Sequence, residues 1–252
     1  MKSRSITAYI SFGTNLRYLQ DAQPNWPIHK EQTILANIDY FFTHLKDYDL
    51  IVTERAAYKL QELRDELAET ASDASLTAAQ ATKLRSITRD LRETLFAEAE
   101  GRVAFIVTDK RIDIHKLLNN IGALLAPGVF EKLPEISRYD FTEAGKCVAF
   151  ERPTSGAFHL LRGTEAVLRQ FYCGIVKRGR AKLMWGPMVE SLRKRRSAPP
   201  KPLLDNLDNI RTSFRNPTQH PDKIYDIQEV QDLFALCVDV VNRMAALLPR
   251  KS

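Results

Sequence analysis

From residue 30 onward the apolar side chains of this chain recur at intervals of three and four, a spacing that buries one face of an α-helix and cannot bury one face of a strand. Ile34, Ile38, Phe41, Phe42 and Leu45 mark a first amphipathic helix over residues 30–46, and Leu60, Leu63 and Leu67 mark another over residues 54–70. Thr77 opens a third with a capping box, Thr77-x-x-Gln80, whose side chains can satisfy free amides of the first turn. Leu84, Ile87, Leu91 and Leu95 carry its stripe, and Gly101 is its expected stop. The spacing thus predicts a long helical hairpin or small bundle over residues 30–100. Residues 1–28 fit two readings, helix through Ile6, Tyr9 and Ile10 or strand through Ile10 and Phe12. Pro24 and Pro27 place a loop after them. Val103–Val107, rich in β-branched residues, is the best strand candidate. Asp113 is placed to cap a helix reaching about Leu125, which Pro127-Gly128 ends. Residues 128–139 read as irregular, followed by a helix containing Ala144, Val148 and Phe150.

The last hundred residues predict four helices that can close around one core. The first runs from about Thr154 to Val176, with Phe158, Leu161, Leu168, Phe171 and Ile175 as core candidates. The second covers about Pro187–Arg195, the third Leu203–Phe214 and the fourth Asp226–Leu248. Val230, Leu233, Phe234, Cys237, Val240, Val241 and Met244 line the fourth. Lys177-Arg178-Gly179-Arg180 breaks the first helix, and the proline-rich run Ser197–Pro202 links the second to the third. The expected fold is therefore all-α with at most a minor strand. Residues 1–130 form a helical accessory region of unassigned role, and residues 131–252 form the C-terminal four-helix bundle.

No apolar run approaches the roughly 18 residues of a membrane helix. The N-terminal Met1–Thr7 stretch carries charge without a following apolar segment of signal-peptide length, so a cytoplasmic location is the expectation. Cys147, Cys173 and Cys237 lie far apart, without metal-ligand spacing, and read as reduced, buried thiols. Neither a cofactor motif nor a metal site is expected. Charge is uneven: residues 151–252 hold 18 Lys and Arg against 10 Asp and Glu, a net of +8, while residues 1–150 hold 19 against 21, a net of −2. A basic C-terminal half points to a polyanionic partner.

One segment carries chemistry. Arg215-Asn216-Pro217-Thr218-Gln219-His220-Pro221 puts a fixed cation, an amide and an imidazole within six residues, and its two prolines predict a stiff loop. RNA cleavage without metal needs a group to take the 2′-hydroxyl proton and a cation to hold the phosphorane charge. Imidazole exchanges protons near neutral pH, and guanidinium matches phosphate oxygens with its planar fork. On the helix from Thr154, Arg162, Glu165 and Arg169 fall at i, i+3 and i+7 on one polar stripe, either a solvated face or the wall of a cleft. Lys177, Arg178, Arg180 and Lys182 form one basic cluster and Arg193, Lys194, Arg195 and Arg196 another. Either suits an RNA backbone, or simply solvates a helix end. Trp185 and Tyr172 read as core rather than base-stacking residues, and His159 as a satisfied histidine at the core edge.

The Arg-x4-His segment, followed by a long helix bearing Tyr225, Phe234 and Cys237, resembles the motif and final helix of HEPN domains. Upstream, Glu143-Ala144-Gly145-Lys146-Cys147 and Thr154–Glu165 resemble the opening of bacterial HEPN-like proteins. The resemblance covers roughly residues 140–248. It implies a metal-independent endoribonuclease of toxin–antitoxin or phage-defence systems, working as a homodimer that joins two Arg-His loops in one cleft. It also implies Arg215 as the phosphate ligand, His220 as acid or base, and Asn216 as the polar residue after the Arg. Glu165 and Arg169 fit the family's Glu-x3-Lys/Arg pair. A subfamily silenced by an antitoxin that modifies a tyrosine carries it two residues after the His, where this chain has Asp222; Tyr225 is five residues on. Other relatives have lost activity and bind RNA or a partner protein instead.

Overall fold

The computed structural model describes residues 4–176, 184–220 and 223–248. The chain is all-helical over these residues, which contain no strand and a single isolated bridge, Pro27 to Ser75. It divides after Phe105 into two compact units. No described helix is long and apolar enough to cross a membrane.

The first unit contains α1 (Ile6–Gln20), α2 (Ile34–Asp47), α3 (Ile51–Ala56), α4 (Tyr58–Ala68) and α5 (Ala78–Glu100). Helix thus wins over strand at the N-terminus, where Phe12, Leu16 and Leu19 bury one face. They pack with Ile34, Ile38, Phe41, Leu60, Leu63 and Leu84 in one core. The Thr77–Gln80 capping box forms with both of its reciprocal bonds. Leu50 precedes α3 and has no side chain able to cap it, so Glu98 of α5 does so from outside. Its carboxylate accepts from Val52 N at 3.0 Å, Thr53 N at 2.8 Å and Thr53 Oγ1 at 2.7 Å.

The second unit begins with α6 (Ile114–Asn119), capped as expected by Asp113, and two short 3-10 turns, Ile121–Leu124 and Phe130–Lys132. Then follow α7 (Glu135–Ala149), α8 (Pro153–Val176), α9 (Trp185–Arg193), α10 (Lys201–Asn209), a π turn (Ile210–Arg215), α11 (Asn216–Thr218) and α12 (Ile227–Leu247). Helix α8 is central, packed against both α7 and α12. Phe141, Leu160, Val167, Leu168, Phe171, Phe234 and Val240 fill the core between them.

Several readings change, among them the helix expected to reach about Leu125, which ends at Asn119 and is followed by the 3-10 turn Ile121–Leu124. Val103–Val107 is not a strand: Val103, Phe105 and Ile106 stand 73–84% exposed, because a lone β-prone run has no described partner to complete a ladder. The division falls at 105/106 and not at 130, since Leu117, Ile121, Leu125 and Leu133 join the second core. Residues 135–139, read as irregular, are the first turns of α7. Phe158, read as core, is 48% exposed.

Two substitutions test this packing. A Cβ on Gly145 of α7 would meet the Leu117 carbonyl oxygen at 2.5 Å and Ile121 Cδ1 at 2.8 Å, and the first of these is backbone that cannot rotate away. Gly145→Ala should cost about 1–3 kcal/mol, read by denaturant unfolding. Burial opposes the charge on Glu98, but the Thr53 and Val52 bonds and nearby Arg102 outweigh it and hold its carboxyl below the usual range. A depressed carboxyl contributes stability at neutral pH that is lost as pH falls through its folded value. Glu98→Gln should therefore lose about 1 kcal/mol at pH 7, and the gap should close on acidification.

Candidate functional site

Pro217 shapes the motif. It lacks an N–H, and its ring conflicts with the carbonyl four residues back. The chain accommodates it by widening into the π turn Ile210–Arg215 and resumes as α11. The expected loop at Arg215–Thr218 is thus helical, with Arg215 at the mouth of the π turn. Such turns recur at functional sites.

The segment is clamped from behind. The Thr218 and Tyr225 hydroxyls and the Phe214 carbonyl form a triangle of 2.6, 2.7 and 3.1 Å. Tyr225 N donates to Thr154 Oγ1 at 3.1 Å, tying the start of α12 to the start of α8. The Phe214 and Tyr225 rings stack at 6.4 Å and 13°. Burial pushes the Tyr225 hydroxyl above its ordinary pKa, with the Thr218 bond opposing. Tyr225 is 2% exposed, a structural tyrosine with no free face for modification.

In front, Arg215 turns toward α8. Its Nη2 lies 3.6 Å from Glu165 Oε2, and Arg169 Nη2 holds the other oxygen of Glu165 at 2.7 Å. One carboxylate therefore spaces two guanidinium groups. One turn back on α8, Arg162 grips Asp140 of α7 with both arms of its fork, Nε to Oδ2 at 2.7 Å and Nη2 to Oδ1 at 2.5 Å. His159 Nδ1 meets Asp140 Oδ1 at 2.8 Å. Asp140 is fully buried, while the Arg162 side chain is 57% exposed. Arg215, Glu165, Arg169, Arg162 and His159 line a cleft of about 470 Å³ whose wall also includes Phe158 and Gln219, while Asp140 is buried. Three Arg against Glu165 and Asp140 leave it net positive, suited to an anion with several oxygens.

The structure thus joins Arg215 with Arg162, Glu165 and Arg169, the stripe read from α8. It does not join Arg215 with Asn216 or His220 of its motif. Asn216 and His220 are exposed and open, with Thr212, Pro217 and Lys223, into a separate concavity. The sequence reading missed Asp140 altogether. Its signal was present: Ser137, Asp140, Phe141, Ala144 and Val148 continue the buried stripe of α7 back by two turns. His159 is a satisfied histidine as expected, but the ring itself lies on the cleft wall while its partner Asp140 is buried.

Lys177, Arg178, Arg180 and Lys182 lie outside the described residues. Arg193 is engaged by Asp205 at 2.7 Å, while Lys194, Arg195 and Arg196 are exposed beyond α9. Trp185 and Tyr172 are buried, with Trp185 Nε1 donating to Leu207 O at 3.0 Å. The three cysteines are free; Cys237 is fully buried, whereas Cys147 and Cys173 are half-buried rather than buried. Burial pushes the Cys237 thiol up to about 12, the Thr164 hydroxyl opposing, so it stays protonated and inert. Among the described residues no group of three or more His, Cys, Asp and Glu is placed to hold a metal ion.

No family model matches the chain, and no curated protein and no solved structure matches it significantly.

The clamp behind Arg215 carries a direct expectation. Tyr225→Phe deletes one hydroxyl from a buried triangle and should cost about 1–2 kcal/mol of stability in thermal or urea unfolding. Any activity that depends on Arg215 should fall in the same variant.

Proposed function

We propose that this chain is a metal-independent endoribonuclease of the HEPN type, serving as a toxin or phage-defence effector. The observation that supports this most is the ion-paired cluster of Arg215, Glu165 and Arg169 in a basic cleft against a central helix. Glu165 keeps Arg215 extended and aimed, and the Arg162 and Arg169 side chains present donors to solvent. An RNA phosphate entering the cleft meets forks already in place, which lowers the cost of ordering them. Charge then develops on the phosphorane oxygens where the guanidinium groups stand.

His220 is the proton-exchanging residue of the motif. Within one chain it opens away from the Arg215 cleft, so this reading calls for a two-fold homodimer in which a second copy supplies the missing half. An antitoxin or other regulatory protein is the further partner this class implies.

A second reading has its own support. The separation of His220 from Arg215 fits a non-catalytic HEPN-like module that binds RNA or a partner protein through the same basic cleft. Purified protein incubated with RNA in excess chelator separates the two. The catalytic reading expects cleavage to persist and to leave a 2′,3′-cyclic phosphate and a 5′-hydroxyl, with DNA resistant for want of a 2′-hydroxyl. Arg215→Ala and His220→Ala should each lose about 10²–10⁴-fold in rate. Binding without cleavage, unchanged by His220→Ala, selects the second reading. A 5′-phosphate product, or cleavage that stops with chelator, rejects the mechanism.

A further inference from the structure

The Arg215 cleft contains an imidazole of its own. His159 lies on its wall, about one turn before Arg162 and nearly three before Arg169 on the same helix. We propose that His159, oriented by the buried Asp140, is the general base of this cleft, acting on the 2′-hydroxyl of a bound single-stranded RNA. The inference rests on the RNA-cleavage reading and adds to it a residue outside the Arg-x4-His motif.

Tautomer follows from chemistry. An ionised carboxylate only accepts, so the 2.8 Å contact with Asp140 Oδ1 requires His159 Nδ1 to donate. In the neutral ring the lone pair is then on Nε2, the nitrogen not engaged by Asp140. A buried carboxylate that fixes one imidazole nitrogen and leaves the other free is the arrangement of an oriented base. Asp140 is itself fixed by the two-armed grip of Arg162, which shares Oδ1 with His159 and also holds Oδ2. Tyr139 holds the ring edge-on at 6.2 Å. The charged groups about His159 are Asp140, Arg162, Glu165, Arg169 and Arg215, so an anion is drawn to the imidazole. Phe158, 48% exposed beside it, offers a flat apolar face on which an unpaired base can stack.

The step balances without a cofactor. His159 Nε2 takes the 2′-hydroxyl proton as O2′ bonds to phosphorus. The phosphorane charge rests against Arg215, Arg169 and Arg162. The P–O5′ bond then breaks, and the leaving 5′-oxygen takes a proton from water or from the His220 imidazolium of a second copy. A 2′,3′-cyclic phosphate remains, and the His159 proton returns to solvent.

The test pairs cleavage with binding in the full-length protein. His159→Ala should cleave RNA in chelator about 10²–10⁴-fold more slowly than wild type. It should bind a 2′-O-methyl oligonucleotide, which lacks the nucleophile, within about twofold of wild type, an allowance small beside the tenfold that 1.4 kcal/mol represents. Added imidazole should restore part of the His159→Ala rate, which a purely structural histidine would not allow. His159→Gln, which keeps a polar side chain beside Asp140, guards against loss of fold and should be as slow as His159→Ala. If wild type cleaves and both variants cleave equally fast, the inference falls and the ribonuclease reading stands. A binding loss as large as the cleavage loss makes His159 a ligand-binding residue and overturns its role as base. A wild type that cleaves no RNA removes both.

Discussion

The buried carboxylate of Asp140 is the constraint on which the second unit depends. A charge without solvent is costly unless hydrogen bonds surround it, and here three arrive from α8, two from Arg162 and one from His159. They lock the register of α7 against α8 at the point where Gly163 brings the helices together; a Cβ there would lie 3.0 Å from Asp140 Cβ. Nearby, the buried Ser137 hydroxyl donates to the Gly163 carbonyl at 2.9 Å. Core packing fixes these helices in general terms. The polar bonds tie one specific register, and with it the direction in which the rest of the α8 stripe points.

The cleft is built as two ion-pair groups of unequal rigidity. Asp140 has no exposed surface, so its pairings are little screened by salt, whereas Arg169 at 51% and Arg162 at 57% exposed are half in water. Glu165 lies between these limits at 16%. The inner half is thus suited to holding geometry and the outer half to meeting a ligand. On the reading proposed above, affinity for RNA at this surface would carry the salt dependence of the outer arginines.

Much of the fold is legible in the sequence because helical periodicity is a local signal. Thr77, Asp113 and Asp226 cap the helices they precede, and the stripes of α2, α4, α8 and α12 bury most of the residues their spacing picks out, with Phe42 and Ile175 only partly buried and Phe158 exposed. What escapes is non-local. Val103–Val107 has the composition of a strand, but a strand exists only through a partner elsewhere in the chain. The 105/106 division depends on which core receives Leu117 and Ile121, which nothing in their neighbourhood reveals. The site divides along the same line. The α8 stripe is readable because it is one helix face, and Arg215 faces it. Asp140 lies 19 residues before His159, on a helix whose opening turns look irregular in sequence, so their bond is invisible until α7 and α8 are packed. The Arg215–His220 spacing invites the opposite error: neighbours in sequence that open into different concavities, because helical turns between them rotate the second away from the first.

The π turn at Ile210–Arg215 holds the consequence with the longest reach. A π turn is one residue more than an α-helix needs, and each residue of an α-helix advances the direction of its side chains by about 100°. Loss of one of the exposed residues Thr212 or Ser213 would favour ordinary winding and change the direction of Arg215 relative to Glu165. A change of length by one in this turn therefore bears on the Arg215–Glu165 pair more directly than an exchange of one exposed side chain for another.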